Sequence, residues 1–324
     1  MAKLDAKNRA GLPDSAFAYV DSKGRRRLPI NDEPHVRNAL SRFNQVAFED
    51  DAARERARLR LLKAAKKFGI VPIGFITGQL ASDRLETTSV LKELKEAQKI
   101  QTGLLPRRPP EIPFFGVAGV SHPCRTVGGD WFDYMPLPDG RLAVVLADVA
   151  GKGMGAALLM SSTRSIVRML GQDGRPPGAV LADVNRVLVK DLPASKFVTM
   201  IYAVLDPARR TIVFASAGHV PPVYVDAAGA RAIRVKPQFP LGIREGHYEE
   251  HEVEMSDRSR LILYSDGVIE ARDASSEEYG EERLLHYAGT PSASSKGLLA
   301  DVRGFIKKHP PADDITIVTV EAGS

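Results

Sequence analysis

Three prolines within five positions, in Leu105-Pro106-Arg107-Arg108-Pro109-Pro110, forbid any helix from running through this point of the chain. Proline lacks the backbone N–H and drives the residue before it out of the helical region. The sequence differs in kind on the two sides of the break. Upstream, Phe43 to Lys67 is dominated by Glu, Ala, Arg, Leu and Lys, strong helix formers that Gly69 stops. Phe68 to Phe75, with Val71-Pro72-Ile73-Gly74, reads as a short apolar turn or strand, and a second helical run begins near Thr77 or Ser82, with Ser82 as N-cap. From Leu80 to Leu105 the positions Leu80, Val90, Leu91, Leu94, Ala97, Ile100 and Leu104 recur at threes and fours among Lys and Glu, the pattern of an amphipathic helix. Such a stripe serves either as a packing face or as a short dimeric coiled coil, and a homodimer through this helix is the expectation.

Downstream of the break, short β-branched and aromatic runs take over: Leu142 to Leu146, Phe197 to Leu205, Thr211 to Ala215, Val223 to Val225, Arg260 to Tyr264 and Ile315 to Val320. Helical stretches interrupt them at Met154 to Leu170, Gly178 to Lys190 and Lys296 to Lys307. Two consecutive helices among strands predict an α+β arrangement rather than regular β-α-β alternation. A chain of 324 residues suits two modules. The division expected is a small basic module at 1–79, a helical linker at 80–108 and a larger domain at 109–322.

Residues 1–110 hold 22 Lys and Arg against 13 Asp and Glu, whereas the remainder holds 23 against 27. Arg25, Arg26 and Arg27, with Arg54, Arg56, Arg58 and Arg60, could meet an acidic partner or nucleic acid; a solvated helix face is the simpler reading, and no nucleic acid is expected. The single cysteine, Cys124, excludes a disulfide framework and fits a reducing compartment. Met1 to Ala10 lacks the apolar centre of a secretory signal, and no apolar run nears the ~18 residues needed to span a bilayer. A cytoplasmic location away from membranes is therefore expected.

Four segments set aspartate beside glycine or a second aspartate near a strand end: Gly128-Gly129-Asp130, Asp148-Val149-Ala150-Gly151-Lys152-Gly153, Ser265-Asp266-Gly267 and Asp313-Asp314-Ile315-Thr316. Asp148 and Asp266 directly follow the apolar runs Leu142 to Ala147 and Leu261 to Ser265. Carboxylates gathered without basic partners repel one another, and a hard divalent cation with oxygen ligands is the usual remedy, which points to Mg²⁺ or Mn²⁺. Two such ions sharing a water suit phosphate-ester hydrolysis. Each Asp-Gly alone also fits an ordinary turn. The chain contains no Gly-x-Ser-x-Gly elbow, and its lone cysteine has no evident partner nucleophile system.

Val127-Gly128-Gly129-Asp130-Trp131-Phe132-Asp133, followed by Asp148-Val149-Ala150-Gly151-Lys152-Gly153, resembles the RsbU/SpoIIE branch of the protein phosphatase 2C superfamily. Phe197-Val198-Thr199-Met200, Ala217-Gly218-His219-Val220-Pro221-Pro222, Pro240-Leu241-Gly242-Ile243, Tyr264-Ser265-Asp266-Gly267 and Asp313-Asp314-Ile315-Thr316 follow in that family's order, and Ala97-Gln98-Lys99-Ile100-Gln101 and Leu104-Leu105-Pro106 look like its linker. The resemblance spans roughly residues 98 to 320. Ser216 stands where the family often has Asn, and the stretch before Pro240 is shorter than usual. The resemblance implies a four-layer α-β-β-α sandwich and a metal-dependent protein serine/threonine phosphatase acting through two divalent cations, Mn²⁺ or Mg²⁺. It implies that Asp130 and Asp148 hold one ion with the Val149 backbone carbonyl, and that Asp148, Asp266 and Asp313 hold the second. Asp314 is the competitor to Asp313, while Gly129, Gly151, Gly153 and Gly267 support the loops. A bridging water would attack phosphoserine directly, leaving His219 a turn-stabilising role and Trp131 and Phe132 a place in the core. Bacterial relatives commonly dephosphorylate a STAS-type anti-anti-sigma protein, which then releases a sigma factor by partner switching. That analogy is at family level.

The N-terminal segments Phe17-Ala18-Tyr19-Val20-Asp21, Leu28-Pro29-Ile30-Asn31-Asp32 and His35 to Leu40 resemble a small module found ahead of bacterial signalling domains, including nucleotide cyclases. Two rivals stand beside the phosphatase reading: a non-catalytic module that binds a phosphoprotein, and a hydrolase of small phosphoesters. Against the second, no Arg/Lys phosphate clamp is evident beside the aspartate segments.

Overall fold

The computed structural model describes residues 11–307 and 309–323, with 76–88 described by their backbone alone. The reading of Met1 to Ala10 and the side chain of Leu80 lie outside the described residues. The chain divides into two units, Met1–Lys92 and Glu93–Ser324.

In the first unit, β1 (Phe17–Val20) and β2 (Arg26–Pro29) form an antiparallel hairpin with Tyr19 opposite Arg27. The Asp21 carboxylate ties the turn by accepting from the N–H groups of Lys23 and Arg25, while Gly24 takes φ +73°. Helix α1 (Glu33–Arg42) is capped by Asp32, and α2 (Asp51–Lys67) by Asp50, whose carboxylate accepts from the Ala53 N–H. The helical run expected from Phe43 is thus corrected. Phe43–Gln45 is one 3-10 turn, and the Asp50 cap restarts the chain as helix. Ala57, Leu61 and Ala65 of α2 pack on Val36, Ala39 and Phe43, with the Phe43 ring 5.0 Å from Phe48 and 5.2 Å from Phe75. Arg56 and Arg60 are exposed on α2, and Arg58 pairs with Glu55.

Helix α3 (Ile73–Leu104) runs for 32 residues. Ser82 is therefore an interior helical position rather than an N-cap. The start lies nine residues earlier, just after Pro72, whose fixed φ suits a helix entry. The apolar turn expected through Gly74 shortens accordingly to Ile70–Pro72. Val90, Leu91 and Ile100 on this helix are each more than half exposed.

The second unit contains two five-stranded sheets in which every paired neighbour is antiparallel. One sheet comprises β4 (Trp131–Pro136), β5 (Leu142–Val149), β6 (Val198–Asp206), β7 (Thr211–Ala217) and β10 (Glu250–Glu254), in the order β10-β7-β6-β5-β4. The other comprises β3 (Phe115–His122), β8 (Val223–Asp226), β9 (Gly229–Ala232), β11 (Arg260–Tyr264) and β12 (Ile315–Ala322), in the order β3-β12-β11-β8-β9. Helices α4 (Met154–Leu170) and α5 (Pro177–Asp191) follow β5, while α6 (Gly280–Ala288) and α7 (Ser295–Ile306) precede β12.

Period-two alternation sorts each strand between cores. Ala143, Val145, Ala147 and Val149 of β5 join a core with Met160 and Val167 of α4 and Val184 of α5. Leu142, Val144 and Leu146 join another with Leu261, Leu263, Val318 and Val320 of the second sheet. A third core joins Ile262, Tyr264, Ile315 and Ile317 to Leu284 of α6 and Leu298 of α7. β5 is consequently apolar on both faces, and the one carboxylate it carries, Asp148, sits at its end.

Candidate metal centre

Strand register brings the aspartates together. Trp131 of β4 lies opposite Ala147 of β5, so one step outward Asp130 faces Asp148. Alternation puts Asp130 on the same side as Phe132 and Tyr134, and Asp148 on the side of Leu146 and Val144, which is the gap between the sheets. The second sheet supplies the other two from the same end. Tyr264 pairs with Ile317, the Ser265 N–H donates to the Thr316 carbonyl, and the chain then turns through Asp266–Val268 beside Asp313 and Asp314.

Their electrostatics record the convergence. Asp130 is buried, and its carboxyl is pushed well above the ordinary range, first by burial and then by the charges of Asp148 and Asp314. Burial and the charge of Asp266 push Asp148 up to about 7, with hydrogen bonding to Asp130 acting the other way. Asp266 is raised by burial, Glu270 and Asp313. The buried Oδ2 of Asp130 makes no hydrogen bond of ordinary geometry among the described residues, although the Ser265 and Thr316 hydroxyls lie near enough to the carboxyl to oppose the upward shift. A buried carboxylate oxygen without a donor is costly unless a proton or cation meets it. This donor set of several carboxylates and a carbonyl suits a hard divalent cation.

Glycines make the approach feasible. A Cβ on Gly129 would lie 2.8 Å from the Val149 carbonyl oxygen, so only glycine lets that carbonyl come so near. A Cβ on Gly267 would run into the Asp314 carbonyl oxygen. Gly151 and Gly153 take φ +103° and +78°, and the latter opens α4.

Asp313 and Asp314 behave differently. Asp314 is buried, and its two carboxylate oxygens accept from the backbone N–H groups of Cys124 at 2.8 Å and Gly129 at 2.7 Å. It is a clamp on the Gly128-Gly129 loop. Asp313 is about a third exposed and pairs with the Lys152 ammonium at 2.8 Å. Cys124, Asp313 and Asp314 also place ligand atoms within 4.8 Å of one another. As a cation site this trio is poor, because Asp314 is already engaged and burial pushes the Cys124 thiol up to about 12, keeping its proton on.

His219 bridges the two sheets beneath the site. Its Nε2 lies 3.1 Å from the Tyr264 carbonyl, an acceptor only, so Nε2 carries the proton and Nδ1 accepts the Thr199 hydroxyl at 2.9 Å. Part of the residue's surface is open, yet the ring is densely enclosed, and burial lowers its pKa to about 4. It holds strand ends together rather than serving as an acid at neutral pH. Trp131 and Phe132 are buried in the two cores of the first sheet.

Sequence reasoning missed the positive charge at the mouth. Lys152, inside the aspartate segment itself, lies against Asp313 and the Ala312 carbonyl. Arg125 holds Nη1 3.6 Å from the position of a Gly153 Cβ and has no ion-pair partner among the described residues. Beside the expectation that no Arg/Lys phosphate clamp is evident, the structure places Lys152 on Asp313 and Arg125 over Gly153; Arg125 is five residues from Asp130 in sequence, but only the fold brings it there.

This fold and its ring of aspartates define a protein phosphatase 2C-type α+β domain. Two solved structures share the fold. The RsbU and RsbW domains of Rv1364c from Mycobacterium tuberculosis match at 30% identity and TM-score 0.58, over 66% of this chain and 61% of that one. The SiaA-PP2C domain of Pseudomonas aeruginosa matches in fold at 22% identity and TM-score 0.64, over 73% of this chain and 98% of that one. The chain belongs to the SpoIIE family: the profile described as Stage II sporulation protein E matches residues 138–323. A family of unknown function, DUF6582, matches residues 5–72. The phosphoserine phosphatase RsbU of Bacillus subtilis is 29% identical over 185 residues, 56% of this chain and 55% of that protein. The chain spans about half the length of the curated relatives it matches. Among the described residues, no helix is long and apolar enough to cross a membrane.

Proposed function

We propose that the chain is a metal-dependent protein serine/threonine phosphatase that hydrolyses phosphoserine on a protein. The observation that carries this reading is the buried Oδ2 of Asp130, without a hydrogen bond of ordinary geometry and facing Asp148, with both carboxyls raised by burial and by neighbouring carboxylate charge. Asp130, Asp148 and the Val149 carbonyl would hold one Mn²⁺ or Mg²⁺, and Asp148, Asp266 and Asp313 the other. When bound, two such ions acidify a shared water and neutralise charge on a phosphoryl oxygen. The chain's own part is to fix the ligands on the ends of stiff strands. It also sets Lys152 and Arg125 where they can attract a phosphate dianion into the mouth.

The three cores support a four-layer α-β-β-α reading of the second unit. The division into a module at 1–79, a linker at 80–108 and a phosphatase domain at 109–322 remains part of the proposal. A STAS-type phosphoprotein is the substrate class we favour, by relationship to RsbU. The exposed Val90, Leu91 and Ile100 support a homodimer through α3 that passes a state from the N-terminal module to the helices beginning near Met154. If residues 109–322 alone matched the full chain in activity and metal response, that regulatory part would be withdrawn.

The catalytic test is phosphate release from an aryl phosphate and a phosphoserine peptide with Mn²⁺ or EDTA, comparing wild type with Asp148→Asn and Asp266→Asn. Release that needs Mn²⁺ and vanishes in both variants is expected. Release unaffected by EDTA would sink the two-cation reading, and none at saturating Mn²⁺ would favour a strictly partner-activated enzyme or a non-catalytic phosphoprotein-binding module.

A further inference from the structure

One side chain reaches the cation-side loop from the linker helix. Gln101, in the last turn of α3, makes both of its amide hydrogen bonds to a single residue: Nε2 donates to the Gly128 carbonyl at 2.7 Å, and Oε1 accepts from the Gly128 N–H at 3.1 Å. A side-chain amide here does what a neighbouring strand would do, satisfying donor and acceptor of one residue together. On the other side, the Gly129 N–H donates to Asp314 at 2.7 Å, and the Asp314 carboxylate fills the space that a Gly128 Cβ would need. Gly128 and Gly129 are thus gripped from two directions, immediately before Asp130.

The grip has a reason. A Gly-Gly pair has the widest backbone freedom of any dipeptide, and left alone it would let Asp130 wander. The end of α3 is anchored a second time by Leu105, which packs against the core containing Trp131, the residue after Asp130. The helix terminus therefore meets the Gly128 loop through a polar pairing, and the residue after the helix packs on the core that Trp131 joins.

We propose that Gln101 is a positioning residue for the cation site, acting through Gly128 and Gly129 to hold Asp130, so that seating of the α3 terminus sets cation affinity. This rests on the two-cation reading above. Gln101 touches neither substrate nor cation; it fixes the backbone that carries a ligand, the role that supporting hydrogen bonds play around metal sites generally.

The test uses the full chain as wild type, Gln101→Met, Gln101→Glu and the exposed control Lys99→Met. Three quantities are measured: Mn²⁺ affinity by calorimetry, hydrogen exchange across residues 125–132, and the Mn²⁺ half-saturation of aryl phosphate hydrolysis. Gln101→Met is expected to lose protection at Gly128 and Gly129 while β5 and β6 keep theirs. Its Mn²⁺ dissociation constant should rise roughly 10-fold, and half-saturation should rise with it, whereas turnover at saturating Mn²⁺ falls much less. Gln101→Glu, which keeps the acceptor and loses the donor, should lie between, and it carries the comparison if the Met variant does not fold. Lys99→Met should match wild type. Wild-type Mn²⁺ affinity in both Gln101 variants overturns the proposal, as does protection lost throughout β4 and β5. Wild type that binds Mn²⁺ yet releases no phosphate would sink the phosphatase reading alone, with affinity and exchange still judging Gln101.

Discussion

Neighbouring aspartates with opposite duties give the sharpest prediction. In Asp314→Ala, the part-buried N–H of Cys124 and the buried N–H of Gly129 lose their acceptors, which were held at 2.8 and 2.7 Å. Each bond to a charged acceptor contributes about 1.5–3 kcal/mol, or roughly 3–6 kcal/mol for the two. Removing the charge also relieves its repulsion of Asp130 and Asp148, an offset that leaves a net loss of about 2–4 kcal/mol. At about 2–4 °C per kcal/mol for a domain of this size, the melting temperature in EDTA should fall by roughly 5–15 °C. Asp313→Ala removes a partly exposed pair with Lys152, worth about 0–1 kcal/mol, and should barely move the melting temperature. It should nevertheless abolish Mn²⁺-dependent phosphate release. Thermal melts in EDTA beside release assays at several Mn²⁺ concentrations decide the matter. If Asp313→Ala melted lower than Asp314→Ala, or kept full Mn²⁺-dependent release, the division of roles would be wrong.

Gly128→Ala drives a Cβ into the Asp314 carboxylate and should cost about 1–3 kcal/mol; because Asp314→Ala removes the obstruction, urea titration of the double variant should reveal strong non-additivity, and simple additivity would refute the clash. Asp133, buried on β4, forms an ion pair with Arg164 at 2.9 Å and accepts from Arg168 at 2.7 Å. Asp133→Ala should cost about 3–5 kcal/mol by stranding the enclosed Arg164, and Arg164→Met in the same chain should recover much of it; no recovery would mean the loss is not electrostatic. His219 has its pKa lowered from 6.5 to about 4, so the unfolded chain binds the proton better. Its contribution, at most about 3 kcal/mol, is complete above pH 6.5 and is lost as pH falls toward 4. Urea titrations in EDTA should therefore show a flatter pH dependence across that window in His219→Gln, and an unchanged slope would remove His219 as the cause.

What could be read in the sequence follows from the range of each interaction. β5, β11 and α4 announce themselves because their apolar spacing is local, and Arg260–Tyr264 and Met154–Leu170 fall where the pattern puts them. β10, with the sequence Glu-His-Glu-Val-Glu, is an edge strand whose charges hide it, while β3 carries Gly116 and Gly119 where β-branched residues would have signalled a strand. α6 is only nine residues long and begins at a glycine with φ +75°. In the site, Asp148 and Asp266 stood out because each directly follows an apolar run, while the full ligand set came from the family resemblance and remains a proposal. The Cys124–Asp314 pairing spans 190 residues, and the Gln101–Gly128 pairing joins a helix to a loop beyond the proline break. No local pattern encodes either.

The carboxylate ring also sets the terms on which this fold can be lost or kept. Asp130, Asp148 and Asp266 are buried against carboxylate repulsion, so on the proposed two-cation reading the cations would also act as folding ligands, adding stability with the logarithm of their concentration. A chain freed from the need to hydrolyse anything could exchange one of these aspartates for asparagine and become sturdier.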